Sequence, residues 1–293
     1  MINMKNTTLL ILTYLLLGAS ASHATGKVPG GTNGSVLTQT VQKIRVAEEN
    51  TAGGTRAKKG RNFYQIKIYH LKSPAQEQRL DNFLRQAYLP ALHRANIRKV
   101  GVFKPIQQDT ADIRVYVLIP FRSLSEFDDL GDQLAKDSRY QQSGSDYINA
   151  PYNNAPYARM ESILLKAFSG SPELTLPKLT GPKSERVYEL RSYEGPTEKY
   201  YENKVKMFNA GNEIAIFNRL GFNAVFYGEV MSGSRMPNLM YLTTFNNQAD
   251  RDAHWKAFSA DPDWKKLSAL EEYKNNVSKN EQFFLRPAEY SDI

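Results

Sequence analysis

Tyr188-Glu189-Leu190-Arg191-Ser192-Tyr193 repeats the pattern of Tyr64-Gln65-Ile66-Lys67-Ile68-Tyr69 at an offset of 124 residues. The pairing continues outward. Val115-Tyr116-Val117-Leu118 answers to Met240-Tyr241-Leu242-Thr243 at 125, and Asp137-Ser138-Arg139-Tyr140 to Asp261-Pro262-Asp263-Trp264 at 124 again. A repeat this long means two copies of a small domain, since solenoid units recur every 20 to 50 residues or so.

Both copies run through the same order of periods. In the first, 63–71 alternates as a strand and 74–95 spaces Leu80, Phe83, Leu84, Tyr88 and Leu92 at helical intervals, opened by Ser73 as N-cap and Pro74 in the first turn. Strands over 97–106 and 112–121, a helix over 124–135 and a strand over 157–168 follow. The second copy reads as strand 185–194, helix 197–219, strands 222–232 and 238–245, helices 248–259 and 263–276, and strand 281–288. The order βαββαβ is the ferredoxin-like split pattern, an antiparallel sheet with both helices on one face. The fold class expected is therefore α+β, with two tandem ferredoxin-like domains covering each other's bare sheet faces as a barrel with its helices outside.

The chain has 293 residues, 41% of them hydrophobic and 23% charged, which suits one large or two ordinary globular domains. Zero Cys excludes disulfides, thiolate catalysis and Cys-ligated metal clusters. Lys5 followed by the apolar run Leu9 to Leu17 and the small residues Ala19, Ala21 and Ala24 reads as a secretory signal over 1–24, too short for a bilayer span. A retained N-terminal anchor is the other reading of that run. Residues 25–61 have the Gly/Thr/Asn-rich composition of a basic spacer, 62–168 and 185–290 form the two domains, and 169–184 the linker with Pro172, Pro177 and Pro182. The formal charge is +8, but residues 1–61 hold eight Lys or Arg against Glu48 and Glu49, so the folded part carries only +2. A nucleic-acid surface is not expected. The address expected is periplasmic or secreted, with no integral span once the signal is removed.

Tyr188 to Tyr193, Gly221-Phe222 with Phe226 after the long helix, and Asp252-Ala253-His254-Trp255-Lys256-Ala257-Phe258 leading to Asp261-Pro262-Asp263-Trp264 resemble the NIPSNAP domain of the dimeric α+β barrel superfamily. The resemblance covers 186–290 well and 63–168 more loosely. In the first copy Asp128-Asp129-Leu130 stands where His254-Trp255 is expected, and Arg139-Tyr140 replaces Asp263-Trp264. It implies an intramolecular dimeric α+β barrel, in a superfamily whose members include cofactor-free monooxygenases, haem enzymes and small-molecule binders, so the fold does not select a chemistry.

Period-two geometry sets Tyr188, Leu190 and Ser192 on one face of their strand and Glu189, Arg191 and Tyr193 on the other. The expectation is that the apolar face lies under the helices and the mixed face looks into the barrel. Two readings of Glu189 and Arg191 stay open: an ion pair closing the barrel end, or an Arg holding an anionic or carbonyl ligand with Tyr193, Tyr227 and Tyr241 as walls. His254 and Trp255 complete the candidate ligand-binding set. A lone His beside Trp255 is more often a packed or capping group than a base or haem ligand, and with His70 and His93 scattered elsewhere a His metal triad is not expected. Asp261-Pro262 has the N-cap then N1 arrangement of a helix start. No nucleophile elbow, Walker loop or dinucleotide fingerprint occurs.

The function expected is binding of a small apolar or amphipathic molecule in the barrel cavity, without metal or cofactor. The alternatives are a cofactor-independent monooxygenase or isomerase in the same cavity, and an interaction scaffold with a filled barrel. A homo-oligomer is open in each case.

Overall fold

A computed structural model describes residues 60–293; the expected signal, and the spacer up to residue 59, lie outside the described residues. Arg61, assigned above to the spacer, is folded in and bonds to the Ala167 carbonyl and the Glu229 carboxylate.

The first half runs β1 (Phe63–Leu71), α1 (Pro74–Phe83), α2 (Leu89–Arg94), β2 (Gly101–Pro105), β3 (Ile113–Phe121), α3 (Leu124–Lys136), α4 (Ser138–Ser143), α5 (Ser145–Ile148) and β4 (Arg159–Ala167). The second runs β5 (Val187–Glu194), α6 (Glu198–Asn209), α7 (Glu213–Arg219), β6 (Phe226–Ser232), β7 (Asn238–Phe245), α8 (Gln248–Ala260), α9 (Pro262–Ser268) and β8 (Lys279–Pro287). Ser73 caps α1 by accepting from the Gln76 amide, and Asp137 and Asp261 cap α4 and α9 in the same way. Between α1 and α2 the ladder widens to a π-helical stretch, Leu84–Tyr88, just before Pro90, which has no N–H to give back to the preceding turn.

Several elements are shorter than their hydrophobic pattern suggests, and left-handed backbone explains three of them. Lys99 at φ 64° delays β2 to Gly101, Asn212 at φ 63° splits the expected helix 197–219 into α6 and α7, and Asn223 at φ 45° holds back β6 to Phe226. Asn is among the side chains that tolerate this region most readily.

The strands close into one antiparallel barrel in the order β1-β3-β2-β8-β5-β7-β6-β4. Within the halves, Ile66 pairs with Leu118 and Leu190 with Leu242. The offset across β3 and β7 is therefore 124, not 125, and Leu118 answers to Leu242. The seams between halves are β2 against β8 and β4 against β6, the latter with a register shift at Leu164/Leu165.

Strand orientation reverses the expectation for the two faces. Tyr64, Ile66 and Ile68 point into the barrel with Tyr188, Leu190, Leu118, Leu165, Leu242 and Leu285, forming one core shared by both halves. Gln65, Lys67 and Tyr69, and likewise Glu189, Arg191 and Tyr193, lie under the helices. The physical reason is closure: the lumen is the driest place in the molecule, so it takes the face without charges, while the helix layer has edges from which charged partners can reach in. The void among Ile66, Phe103, Tyr116, Leu190, Phe226 and Leu285 is about 10 Å3, at the lower limit for one water. Leu174 and Ile293 are buried in this core and Leu179 packs against it, so part of the segment expected as a linker joins the core.

Each large aliphatic side chain in this core contributes about 1.5–3 kcal/mol by burial, and the core is made of residues from both copies. Residues 184–293 produced alone are expected to aggregate or to form a homodimer that rebuilds the barrel. Sedimentation velocity checks this, and a well-dispersed monomer contradicts it.

Candidate functional site

With the lumen filled, the two layers between sheet and helices become the places where side chains can meet a ligand. Superposing the halves by their 124-residue offset places α3 on α8, with Phe127, Leu130, Gly131 and Leu134 facing inward where α8 has Arg251, His254, Trp255 and Phe258. Leu130 and Gly131 thus take the positions of His254 and Trp255, where the sequence reading set Asp128-Asp129-Leu130.

In the second half the layer is occupied by a charge network. Glu189 is fully buried and accepts from Arg191 Nε at 2.7 Å, from Arg251 Nε at 2.9 Å and Nη2 at 3.0 Å, and from Trp255 Nε1 at 2.7 Å. The Arg191 guanidinium lies 3.7 Å from the Trp255 ring centroid and donates to the Tyr193 hydroxyl at 3.1 Å. Tyr193 and Tyr241 hydroxyls share a further bond of 2.9 Å. Burial works against the charge on Arg191, but Tyr241, Tyr193 and Glu189 outweigh it and hold its pKa above the ordinary arginine value. Deeper in, Lys204 and Glu213 form a second buried pair at 2.8 Å. Burial keeps the Glu213 carboxyl pKa above normal despite that pair.

The structure therefore brings Glu189, Arg191, Tyr193, Tyr241 and Trp255 together. Tyr227 stacks on Tyr241 at 5.6 Å, its buried hydroxyl without a partner. His254 stands apart from the network: its Nδ1 bonds the Asp250 carbonyl at 2.7 Å, and its ring packs edge-on against Phe222. Arg251, which supplies two of the bonds to Glu189, is absent from the ligand set drawn from the sequence. Its i, i+4 relation to Trp255 on one helix face was the available signal.

The first half has the same layer with its contents changed. Gln65 stands for Glu189, Lys67 for Arg191, Phe127 for Arg251 and Gly131 for Trp255. Gln65 donates to the Ser162 hydroxyl at 2.7 Å. A Cβ built on Gly131 meets nothing within 4 Å. The result is a pocket of about 370 Å3 with Lys67 on its floor and Tyr69, Phe83, Tyr88, Tyr140 and Tyr147 among its walls. Phe83 and Tyr147 stack at 3.7 Å, fixing one wall, and Lys67 Nζ sits 5.0 Å over the Tyr88 ring. Burial lowers the Lys67 pKa and raises those of Tyr69 and Tyr88, so the phenols stay neutral. Burial also pushes Tyr140 up to about 12.

A larger hollow of about 590 Å3 opens at the barrel mouth, between the β2–β3 turn and β8. Two of the charged residues on its wall pair with each other. Arg114 pairs with Asp112 at 2.6 Å, and His70 bridges Asp112 and Glu161 at 2.8 and 2.9 Å. Among the described residues no cluster suited to a metal ion occurs, and no helix is long and apolar enough to cross a membrane.

The NIPSNAP family model matches residues 188–292. Among solved structures, the chain resembles a monooxygenase-like protein of Lactobacillus acidophilus NCFM at 13% identity and TM-score 0.53, covering 78% of this chain and 94% of that one. A monooxygenase-like protein of Fusobacterium nucleatum subsp. nucleatum aligns at 7% identity and TM-score 0.50, covering 78% and 93%. At these identities the likeness is one of fold. No curated protein matches the sequence.

Removing one member of a buried ion network strands the others. Arg191→Ala is expected to cost about 3 kcal/mol in urea unfolding, the low end of the range because Arg251 and Trp255 still hold Glu189. Lys67→Ala deprives no carboxylate of a partner and is expected to cost less than about 1 kcal/mol.

Proposed function

We propose, for a chain whose residues 188–292 are a NIPSNAP domain in an α+β barrel, that the protein binds a small apolar or amphipathic molecule. The site proposed is the first half's pocket between sheet and helices, in place of the barrel lumen expected from the sequence. One observation carries the reading: Gly131 replaces Trp255 at the same point of the repeat, and the space the indole fills in one half is open in the other.

The pocket has the attributes of a ligand site. Its volume lies at the lower end of the range for small-molecule clefts, its walls are aromatic, and its polar groups converge on the floor. The second half shows what the layer becomes when its charges are matched: Glu189, Arg191, Arg251 and Trp255 satisfy one another and leave a ligand no unpaired charge among them. In this reading the ligand-binding set drawn from the sequence, Glu189 to Trp255, is the structural counterpart of the site, and Gln65, Lys67 and the aromatic residues above them do the binding. Export belongs to the same reading and rests on Lys5 and the apolar run that follows it.

Gly131→Trp tests this directly. The variant restores the residue type of the second half at a position where a Cβ has room, and Trp is no worse than Gly in a helix. It is expected to keep the thermal midpoint of the parent and to lower affinity for a neutral apolar dye, N-phenyl-1-naphthylamine, at least tenfold, about 1.4 kcal/mol. Unchanged dye binding in a folded Gly131→Trp protein contradicts the site.

A further inference from the structure

The first-half pocket keeps a cation and has lost the anion that balances it. In the second half Arg191 faces Glu189 two residues away on the same strand face, at 2.6 Å. At the equivalent positions the first half retains the cation as Lys67 but carries Gln65, a neutral amide engaged with Ser162. Among the described residues no carboxylate lies within ion-pair distance of Lys67, whereas Lys104, half-buried in the same half, has two, Glu77 and Asp81. Asp128 lies at the exposed rim of the pocket, outside that distance. What faces the ammonium is the ring of Tyr88, a weak and partial compensation.

A half-buried charge without a counter-charge is costly unless something else supplies one. Three in-register differences act in the same sense. Glu189 becomes Gln65, which removes the internal anion; Arg251 becomes Phe127, which removes the second cation that anion required; Trp255 becomes Gly131, which opens the space. From this geometry we infer that the pocket takes a flat aromatic molecule bearing a carboxylate, its ring between the tyrosine and phenylalanine walls and its charge on Lys67. The inference rests on the pocket being the ligand site and adds the class of ligand.

The depressed pKa of Lys67 accords with the missing anion, since burial lowers it and only the Tyr157 phenol, not a carboxylate, opposes. The surrounding titratable groups do not substitute for a ligand. Tyr69, Tyr88, Tyr140 and Tyr147 are phenols held neutral by burial. A phosphate or sulfonate would satisfy the charge equally, but a pocket of this size, walled by stacked rings, favours a planar body with a planar acid.

The experiment uses the full chain and a pair of probes of equal shape, 2-naphthoate and its neutral analogue 2-naphthalenemethanol, with affinities measured by displacement of N-phenyl-1-naphthylamine. The parent is expected to bind naphthoate at least tenfold more tightly than the alcohol. Lys67→Gln should erase that preference, and Lys67→Arg should restore it. Equal binding of both probes by the parent, or a preference that survives Lys67→Gln, overturns the inference while leaving the pocket as a binding site for neutral molecules. Failure of the dye and both probes to bind the parent overturns the site itself.

Discussion

Each half of this protein folds a four-stranded sheet with helices on one face only, and the other face must be covered by something apolar. Everything else follows from the way that need is met. Seams of β2 with β8 and β4 with β6 close the two sheets into one barrel, and Ile66, Leu118, Leu165, Leu190, Leu242 and Leu285 fill it from both sides. Closure fixes which strand face is driest, and thereby sends Glu189 and Arg191, with their counterparts Gln65 and Lys67, outward under the helices.

That placement moves the question of function out of the lumen. An interior with a void of about 10 Å3 has no room for a guest, so the helix layers are where the duplicated architecture can differ between copies without disturbing the barrel. They do differ. One layer is a closed network in which a fully buried carboxylate is held by two guanidiniums and an indole. The other is a hollow with an aromatic wall and a lone ammonium. A buried ion network of this kind gives little net stability against an apolar isostere, yet it is intolerant of partial loss. The first half has replaced all four members together, Gln65, Lys67, Phe127 and Gly131 standing for Glu189, Arg191, Arg251 and Trp255.

The larger hollow at the barrel mouth illustrates why volume alone does not identify a site. It exceeds the first-half pocket, but Arg114, the cation on its wall, already has its carboxylate in Asp112. A ligand gains most where it completes an interaction the protein has left open, and around Lys67 that condition is met.

The repeat at 124 residues, the βαββαβ order, the caps at Ser73 and Asp261 and the pairing of the halves into a barrel were all legible in the sequence, because they depend on local periodicity and on residue types that act over a few positions. The sequence also marked Glu189 and Arg191 as a pair and the two copies as chemically unequal. It did not determine which face of β1 and β5 turns inward. Period two defines two faces without labelling them, and closure of the barrel, a property of all eight strands at once, chose the apolar one. Nor did it point to Gly131. A glycine within a helical pattern is unremarkable until the helix is laid on its duplicate and the missing indole becomes a cavity over Lys67. Contact between strand and helix residues some 60 positions apart, the distance from Lys67 to Gly131 and from Arg191 to Trp255, is set by how the layers pack, and only the tertiary structure decides it.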